Sequence, residues 1–166
     1  DDAYGLLWYD APPPPSIYSL APAGSIVRVG SFAKILAPGL RLGWMAADPA
    51  LVKRCARSGM LDSGGGVNHF TAHIVASFIE QGHMATHLEQ LRADLRTRRD
   101  TLLEALARYA PAVCTWNPAL GGFFVWIRLP GYMNAASLLT IAEQAGVSYL
   151  SGPRFFAEAG GERYLR

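Results

Sequence analysis

Hydrophobic and polar positions divide the chain into a strand-containing first part, a helical middle and a short mixed final part. Apolar and β-branched runs at residues 26–29 and 42–47 predict strands, and the end of another strand is expected within residues 1–9. The Pro-, Ser- and Gly-rich residues 10–24 predict an extended loop. Asp48 followed by Pro49 predicts a helix start, and that helix should run to about residue 58.

Helical periodicity dominates the middle of the chain. Apolar side chains recur at positions 70, 74 and 78, which predicts a helix over residues 68–81, ended by Gly82. Leucines spaced by three, four and seven residues from Leu88 to Leu106 place one apolar stripe along a longer helix at residues 83–109. The sequence SGGG at 63–66 predicts a flexible break before both helices.

The pattern of the final part changes to short strands around one helix. Antiparallel strands are predicted at residues 113–116 and 122–129, a helix at 135–145, and further strands at 147–150 and 164–166. The fold class is therefore α/β in the first part, then a long helix, then α+β. The predicted domains are residues 1–82, an interdomain helix at residues 83–110 and a small domain at residues 111–166.

Composition and charge exclude several classes of function. The net charge is +2 and the pI is about 8.7, which is too mild a balance to indicate nucleic-acid binding. The densest basic cluster contains four arginines, and a solvated helix face is favoured there over an anion-binding patch. These arginines are Arg92, Arg96, Arg98 and Arg99. Two cysteines without CxxC spacing indicate a reduced, cytoplasmic protein. No apolar run reaches the roughly 18 residues that would span a membrane.

Two histidine pairs at helical spacing invite a metal-site interpretation. His69 and His73 are four residues apart, as are His83 and His87, so each pair could present two ligands on one helix face. Neither pair encloses the glutamate of a metalloprotease, and neither has an evident third ligand. We therefore predict no metal site and interpret these histidines as packing or surface residues.

One loop carries the most informative chemistry. Lys34, one of two lysines in the chain, lies seven residues before Arg41, across a Pro-Gly turn. A lysine amine can form an imine with an aldehyde cofactor, and an arginine can bind the phosphate of that cofactor. The pairing suggests pyridoxal phosphate, with Lys34 as the catalytic imine lysine and with Ser31 and Arg41 as phosphate ligands.

Other residues supply the remaining groups that this cofactor needs. Asp1 could keep the pyridine nitrogen protonated, and the hydroxyl of Tyr4 could bond to the 3′ oxygen of the ring. Arg166 could bind the substrate carboxylate as a bidentate fork. Arg163 competes for that role, but residues three apart in a strand point to opposite faces, so only one of the two can face the site.

Four motifs then show a family resemblance that spans the chain in order. The sequences SFAK at 31–34 and GLRLGW at 39–44 resemble the lysine motif of class I/II aminotransferases. DDAY at 1–4 resembles the family's aspartate-to-tyrosine motif. GGFFVW at 121–126 is similar to the first strand of the small domain, and ERYLR at 162–166 to the strand with the carboxylate-binding arginine. The nearest likeness is to 2-aminoadipate-type transaminases and to the aminotransferase-like domains of GntR-type regulators.

The resemblance implies the C-terminal portion of a fold type I pyridoxal phosphate enzyme. Such an enzyme is usually a homodimer, and it transfers an amino group from an L-amino acid to a 2-oxo acid in a ping-pong reaction through a lysine aldimine, here at Lys34. The resemblance assigns the cofactor to Asp1, Tyr4, Ser31, Lys34 and Arg41, and the substrate carboxylate to Arg166. One departure is Ala33, where many relatives have a second serine, which leaves more of the phosphate binding to its neighbours.

Two alternatives and one further expectation accompany this interpretation. The chain could be the cofactor-binding effector domain of a GntR-type transcription regulator, which would contact nucleic acid only through an additional winged-helix domain. It could also be a pyridoxal phosphate lyase or racemase. Because the chain opens without Met and stops within an alternating pattern, we expect a fragment that is inactive and binds the cofactor poorly alone. The preferred amino donor cannot be read from the sequence.

Overall fold

The computed structural model describes residues 1–64, 66 and 68–166; Gly65, within the predicted break, and Val67 lie outside the described residues. The chain forms two compact units, unit 1 (Asp1–Arg96) and unit 2 (Thr97–Arg166). The helices are α1 (Ile17–Leu20), α2 (Phe32–Ile35), α3 (Pro49–Ala56), α4 (Gly59–Asp62), α5 (His69–Glu80), α6 (His83–Tyr109) and α7 (Ala135–Gln144). The strands are β1 (Arg28–Ser31), β2 (Gly43–Ala46), β3 (Thr115–Trp116), β4 (Ile127–Arg128) and β5 (Tyr164–Leu165). The three-domain division stays a prediction.

The sheet of unit 1 is the antiparallel pair formed by β1 and β2. Ser31 lies opposite Gly43, so pairing extends to the last residue before α2. Gly30 lies opposite Trp44, and a Cβ atom at Gly30 would lie 2.3 Å from Cε2 of that indole. A larger residue would therefore force the strands apart. The predicted strand at 26–29 is confirmed with a shift of two residues toward Ser31, because the register with β2 fixes its end.

A small apolar core holds α2 and the first half of α6 together within unit 1. Leu7, Ile35 and Leu88 are buried in one cluster. Four partly buried side chains pack around it: Phe32, Met84, Leu91 and Leu95. The leucine stripe predicted for the long helix thus does face a core. This packing fixes the orientation of the short helix that carries Lys34.

The basic cluster on α6 does not behave throughout as a solvated face. The guanidinium of Arg92 lies 4.3 Å from the ring centroid of Trp8, and its Nε donates to the carbonyl of Leu6 at 2.8 Å. Arg96 forms an exposed ion pair with Asp10 at 3.4 Å. The prediction of a fully solvated face is therefore wrong for Arg92, whose long side chain covers an aromatic surface while keeping its charge partly hydrated.

Side chains cap the starts of α3 and α5, and the Asp48 cap was predicted from the sequence. The carboxylate of Asp48 accepts a hydrogen bond from the amide of Ala50 at 2.8 Å, at the start of α3. The side chain of Asn68 accepts from the amide of Thr71 at 3.0 Å, at the start of α5. Among the described residues, three single-turn helices were not predicted: α1, α2 and α4. Of these, α1 interrupts the predicted loop at 10–24, because Ser16 supplies a local cap.

Unit 2 is a three-stranded antiparallel sheet, ordered β3-β4-β5, with α7 packed against it. Its buried core contains Cys114, Leu129, Ala135 and Leu165. The predicted strands at 113–116, 122–129 and 164–166 are present but shorter. Along the part of the chain that the structure describes, no helix is both long and apolar enough to cross a bilayer.

The predicted strand at 147–150 is wrong. Instead of a ladder, that segment makes one reciprocal pair of backbone hydrogen bonds, between Leu150 and Arg166, at 2.9 and 3.0 Å. Gly146 turns the chain with φ of +82° after α7, and a 3₁₀ turn (Gly152–Phe155) follows soon after. Of residues 147–150, only Leu150 pairs with another strand segment, so no regular strand forms.

Candidate active site

The segment that begins with Asp1 lies beside β1 in unit 1. The amide of Asp2 donates to the carbonyl of Val29 at 2.8 Å, so the chain passes beside the first half of the strand. The Asp2 carboxylate also binds Arg28 in an ion pair, with the Nε donating at 2.6 Å. These contacts fix the segment against the hairpin and leave Asp1 as the aspartate that Arg28 does not hold.

Tyr4 lies in the tight turn at residues 3–6, and Asp1 lies two residues before that turn. One carboxylate oxygen of Asp1 accepts from the amide of Ala3 at 3.1 Å, and the side chain is exposed. The carbonyl of Tyr4 accepts from the amide of Leu7 at 2.8 Å, and about a third of the tyrosine is exposed. Burial of Leu7 in the core anchors this turn. Both predicted cofactor residues therefore lie on a backbone that is held at its two ends.

Lys34 lies on α2, immediately after β1. Ser31 ends the strand and caps the helix, its Oγ accepting from the amide of Ala33 at 3.2 Å. Ile35 points into the core, and its carbonyl is hydrogen-bonded to Nε2 of His87 at 3.0 Å. Lys34 itself is half-buried. The strand, the cap and the buried neighbour together position this lysine.

Arg41 has an unusual backbone conformation. Its φ and ψ are 50° and 36°, in the left-handed region, directly after a 3₁₀ turn (Pro38–Leu40). Residues other than glycine adopt this conformation at an energetic cost, and such positions cluster at functional sites. Burial of Leu42 on its other side anchors the loop, while the arginine remains exposed. The fold thus maintains a strained backbone at the residue predicted to bind phosphate.

The hairpin brings the lysine and arginine motifs to one end of unit 1. The amide of Phe32 donates to the carbonyl of Leu42 at 2.9 Å, one residue beyond the last strand pair. Ser31 and Arg41 therefore lie beside the point at which the loop closes. Within the described part of the chain, Lys34 and Arg41 have no ion-pair or hydrogen-bond partner for their side chains. Two uncompensated cations on one closed loop suit an anionic ligand.

A cleft of about 480 Å³ is lined in part by Asp1 and Asp2. Its wall includes Trp8, Arg28 and the proline run of residues 13–15. Tyr4, Ser31, Lys34 and Arg41 are not among the residues that line it. This cleft therefore does not join the predicted cofactor residues.

Arg166 belongs to unit 2, where two phenyl rings contact its guanidinium. The Cζ atom lies 3.9 Å from the ring centroid of Phe124 and 4.2 Å from that of Phe155. The Nε atom is buried and has no hydrogen-bond partner in the described part of the chain. Arg163, the competing arginine, lies near Gly131 instead.

Sequence reasoning did not identify the two rings that contact Arg166. Phe124 occurs within the GGFFVW motif, and Phe155 begins the Phe-Phe pair of residues 155–156. Arg28, which separates the roles of the two aspartates, was also missed. The available signal was the presence of these aromatic residues in the same final part of the chain as the arginine. Their contact with Arg166 depends on how that part folds.

The histidines of both pairs form hydrogen bonds within the protein. Nε2 of His69 lies 3.1 Å from Nε2 of His73, and His83 is hydrogen-bonded to Gln81 at 3.2 Å. Among residues 1–64, 66 and 68–166, no group of three or more potential ligands could hold a metal ion.

Two relatives and one solved structure are similar to the chain over nearly its whole length. An uncharacterised HTH-type transcriptional regulator of Bacillus subtilis is 33% identical over the whole chain, which spans 34% of that protein. The 2-aminoadipate transaminase of Thermus thermophilus is also 33% identical over the whole chain, which spans 42% of it. The solved structure of LysN, an α-aminoadipate aminotransferase from Thermus thermophilus complexed with N-(5′-phosphopyridoxyl)-L-leucine, superposes with a TM-score of 0.90. It is 30% identical, and the alignment covers 99% of this chain and 43% of LysN.

These matches define the fold and its extent. The chain spans well under half the length of these relatives and structures, and its mixed helix and sheet is the C-terminal part of a fold type I aminotransferase, as predicted. The sequence profile of the family described as "Aminotransferase class I and II" matches residues 1–166. The chain belongs to the class I and II aminotransferase family.

Proposed function

We propose that the full-length protein uses pyridoxal phosphate to transfer an amino group from an L-amino acid to a 2-oxo acid in a ping-pong reaction. The observation that carries the proposal is the closed loop after β1, which places Lys34 and Arg41 beside Ser31 without any partner for the two cations in the described part of the chain. Family membership and the named aminotransferases among its relatives support it.

The available donors fit the cofactor. Arg41 and the hydroxyl of Ser31 can donate to a phosphate, and the Lys34 amine can bind the aldehyde carbon. The Asp1 carboxylate can accept from a protonated ring nitrogen, and the Tyr4 hydroxyl can donate to the ring oxygen. Because Ala33 supplies no hydroxyl, Ser31 and Arg41 carry more of the phosphate binding in this chain.

Each residue has a defined chemical task. When bound, pyridoxal phosphate supplies an aldehyde that condenses with amines and a ring that accepts electrons from the α-carbon of the substrate. Lys34 binds the cofactor between turnovers and then moves the α-proton as a free amine. Asp1 stabilises the positive charge on the ring, and Arg166 binds the substrate carboxylate. We also propose a cytoplasmic homodimer, as the cysteine usage and the family resemblance suggest.

A regulator is the second candidate function. The Bacillus subtilis relative described as an HTH-type transcriptional regulator matches all 166 residues of this chain. Such a protein could bind the same cofactor through the same residues and respond to an amino acid without useful turnover. A winged-helix segment encoded upstream in the full-length gene favours the regulator, and its absence favours the enzyme.

The decisive experiment locates the covalent bond to the cofactor. The full-length protein is loaded with pyridoxal phosphate, reduced with borohydride to make the lysine bond permanent, digested and analysed by mass spectrometry. We expect the modification on the peptide containing Lys34. Lys53, which is exposed on α3, provides a matched control.

Two variants complete this test. Lys34→Ala should abolish the modified peptide, and Lys53→Ala should leave it unchanged. If Lys34→Ala retains the modification at an equal level, Lys34 is not the cofactor lysine and the proposed function fails. Amino transfer to 2-oxoglutarate from each of a panel of acidic, aromatic and aliphatic L-amino acids, measured in the same preparations, separates an enzyme from a protein that only binds the cofactor.

A further inference from the structure

The strand alternation of β5 separates a core face from an aromatic face. Leu165 is buried with Cys114, Leu129 and Ala135, so its neighbours Tyr164 and Arg166 lie on the opposite face. Trp126 directly precedes β4, the strand that pairs with β5. Its ring stacks on that of Tyr164, with centroids 5.4 Å apart and planes at 14°. Arg166 therefore extends from a face that is otherwise built of rings.

On that face, two phenyl rings lie against the guanidinium. Phe124 and Phe155 have their ring centroids 3.9 and 4.2 Å from Cζ of Arg166. An arginine over an aromatic ring keeps its charge and loses rotational freedom. A phenyl ring has no nitrogen or oxygen acceptor, so these contacts use none of the N–H donors of the guanidinium. A carboxylate uses those donors when it binds in a bidentate manner.

Contacts that do not involve the arginine hold Phe155 in place. Its ring meets that of Trp126 edge to face, with centroids 5.5 Å apart and planes at 86°. The 3₁₀ turn that carries it begins at Gly152, which is buried against β5. A Cβ atom at Gly152 would lie 2.3 Å from the carbonyl oxygen of Gly161, so only glycine allows this approach. Phe155 is thus pre-organised for the guanidinium.

We propose that Phe124 and Phe155 are positioning residues that hold the guanidinium of Arg166 as a fixed fork for the α-carboxylate of the substrate; this rests on the proposed function. The Nε of Arg166 has no hydrogen-bond partner in the part of the chain that the structure describes, so the guanidinium keeps a donor that no protein group uses. Fixing the fork before the substrate arrives lowers the entropy lost on binding.

The test compares two ligands that differ only in the carboxylate. The probes are N-(5′-phosphopyridoxyl)-L-leucine and N-(5′-phosphopyridoxyl)-3-methylbutylamine, and their dissociation constants are measured by calorimetry with the cofactor-free full-length protein. The ratio of the two constants reports the contribution of the carboxylate. We expect Phe155→Leu to reduce that ratio by about three- to tenfold, with little change in the affinity for the amine adduct.

Matched variants make the result specific. Phe155→Tyr keeps an aromatic face and should restore the wild-type ratio. Phe156→Leu removes the neighbouring ring, which packs on Trp126 and Tyr164, and should leave the ratio unchanged. If Phe155→Leu weakens both adducts equally, the residue has a general structural role and the inference is overturned.

The same measurements separate this inference from the proposed function. Arg166→Met should abolish the preference for the carboxylate adduct. If the wild-type protein shows no such preference, the carboxylate role of Arg166 fails, and the positioning role fails with it. If Arg166→Met abolishes the preference while Phe124→Leu and Phe155→Leu leave it intact, only the positioning inference is wrong and the proposed function stands.

Discussion

Arg28 binds Asp2 and not Asp1: its Nε donates to the Asp2 carboxylate at 2.6 Å, and its Nη2 contacts the same oxygen. Both side chains are partly buried, and the amide of Asp2 is also bonded to β1 through Val29. The two adjacent aspartates therefore have different surroundings. One stabilises the position of the segment, and the other carries an exposed carboxylate on the turn that leads to Tyr4.

This difference predicts opposite phenotypes for two equivalent substitutions in the full-length protein. Asp1→Asn removes the negative charge proposed to face the ring nitrogen, so the rate of amino transfer should fall by about a hundredfold. Asp2→Asn breaks the ion pair with Arg28 and should lower the free energy of unfolding by about 1 kcal/mol, with a small effect on the rate. Stopped-flow kinetics and urea unfolding measure the two effects. A larger loss of rate in Asp2→Asn than in Asp1→Asn would reverse the assignment.

Arg41 allows the phosphate contact to be tested separately from the rest of the cofactor site. Arg41→Asn keeps a residue that tolerates the left-handed backbone but removes the charge. We expect a ten- to hundredfold loss of affinity for pyridoxal phosphate, because a charge-assisted hydrogen bond contributes about 1.5–3 kcal/mol. Affinity for pyridoxal, which lacks the phosphate, should not change.

Equilibrium binding of both compounds measures this effect. Arg57→Asn, at the exposed end of α3, provides the control and should bind both compounds like the wild type. Equal losses for pyridoxal and its phosphate in Arg41→Asn would show that the substitution disturbs the loop and not a phosphate contact.

Gly152 should be the glycine of unit 2 least tolerant of alanine. The added Cβ would lie 2.3 Å from the Gly161 carbonyl oxygen and 2.7 Å from Cβ of Tyr164, neither of which can move as a flexible side chain would. Gly152→Ala should lower the free energy of unfolding by about 1–3 kcal/mol, as overpacking does. At Gly131 the nearest atom is 3.7 Å away, so Gly131→Ala serves as the control. Urea unfolding compares them, and equal stabilities would contradict the packing argument.

The elements that the sequence predicts well are those specified by local chemistry. The helix at 68–81 was predicted from its apolar spacing, and the hairpin around Lys34 was predicted from a β-branched run before the Pro-Gly turn and an apolar run after it. The strand predicted at 147–150 is wrong because strand formation depends on a partner, and only Leu150 finds one, in Arg166.

The same distinction applies to the candidate site. Motif order identifies Lys34 and Arg41 because their roles are tied to a continuous segment. It does not identify Arg28 or Phe155, because each acts through a contact with a distant residue. Arg28 contacts Asp2, 26 residues away, and Phe155 contacts Arg166, 11 residues away. Residues that support a functional side chain from a distant segment have no local signature. Only the folded chain brings them into contact.

Tyr149 gives the chain a pH dependence of stability at the alkaline end. Burial, with a smaller contribution from the charge of Glu143, raises the pKa of its hydroxyl above the ordinary value of 10.0, and the neutral hydroxyl donates to the carbonyl of Ala135 at 2.7 Å. The folded state therefore holds the proton more tightly than the unfolded state does. The stabilisation is complete below pH 10.0 and is lost as the pH rises toward the pKa of the folded state.

Tyr149→Phe removes both the hydrogen bond and the titration. At neutral pH the variant should be less stable by about 1 kcal/mol, and this difference should shrink as the pH rises above the ordinary tyrosine pKa, since only the wild type then loses stability at this position. Urea unfolding between neutral pH and about pH 11 measures the difference. Tyr132→Phe alters an exposed tyrosine, and its stability should follow that of the wild type throughout. A Tyr149→Phe difference that stays constant with pH would show that ionisation of Tyr149 is not linked to folding.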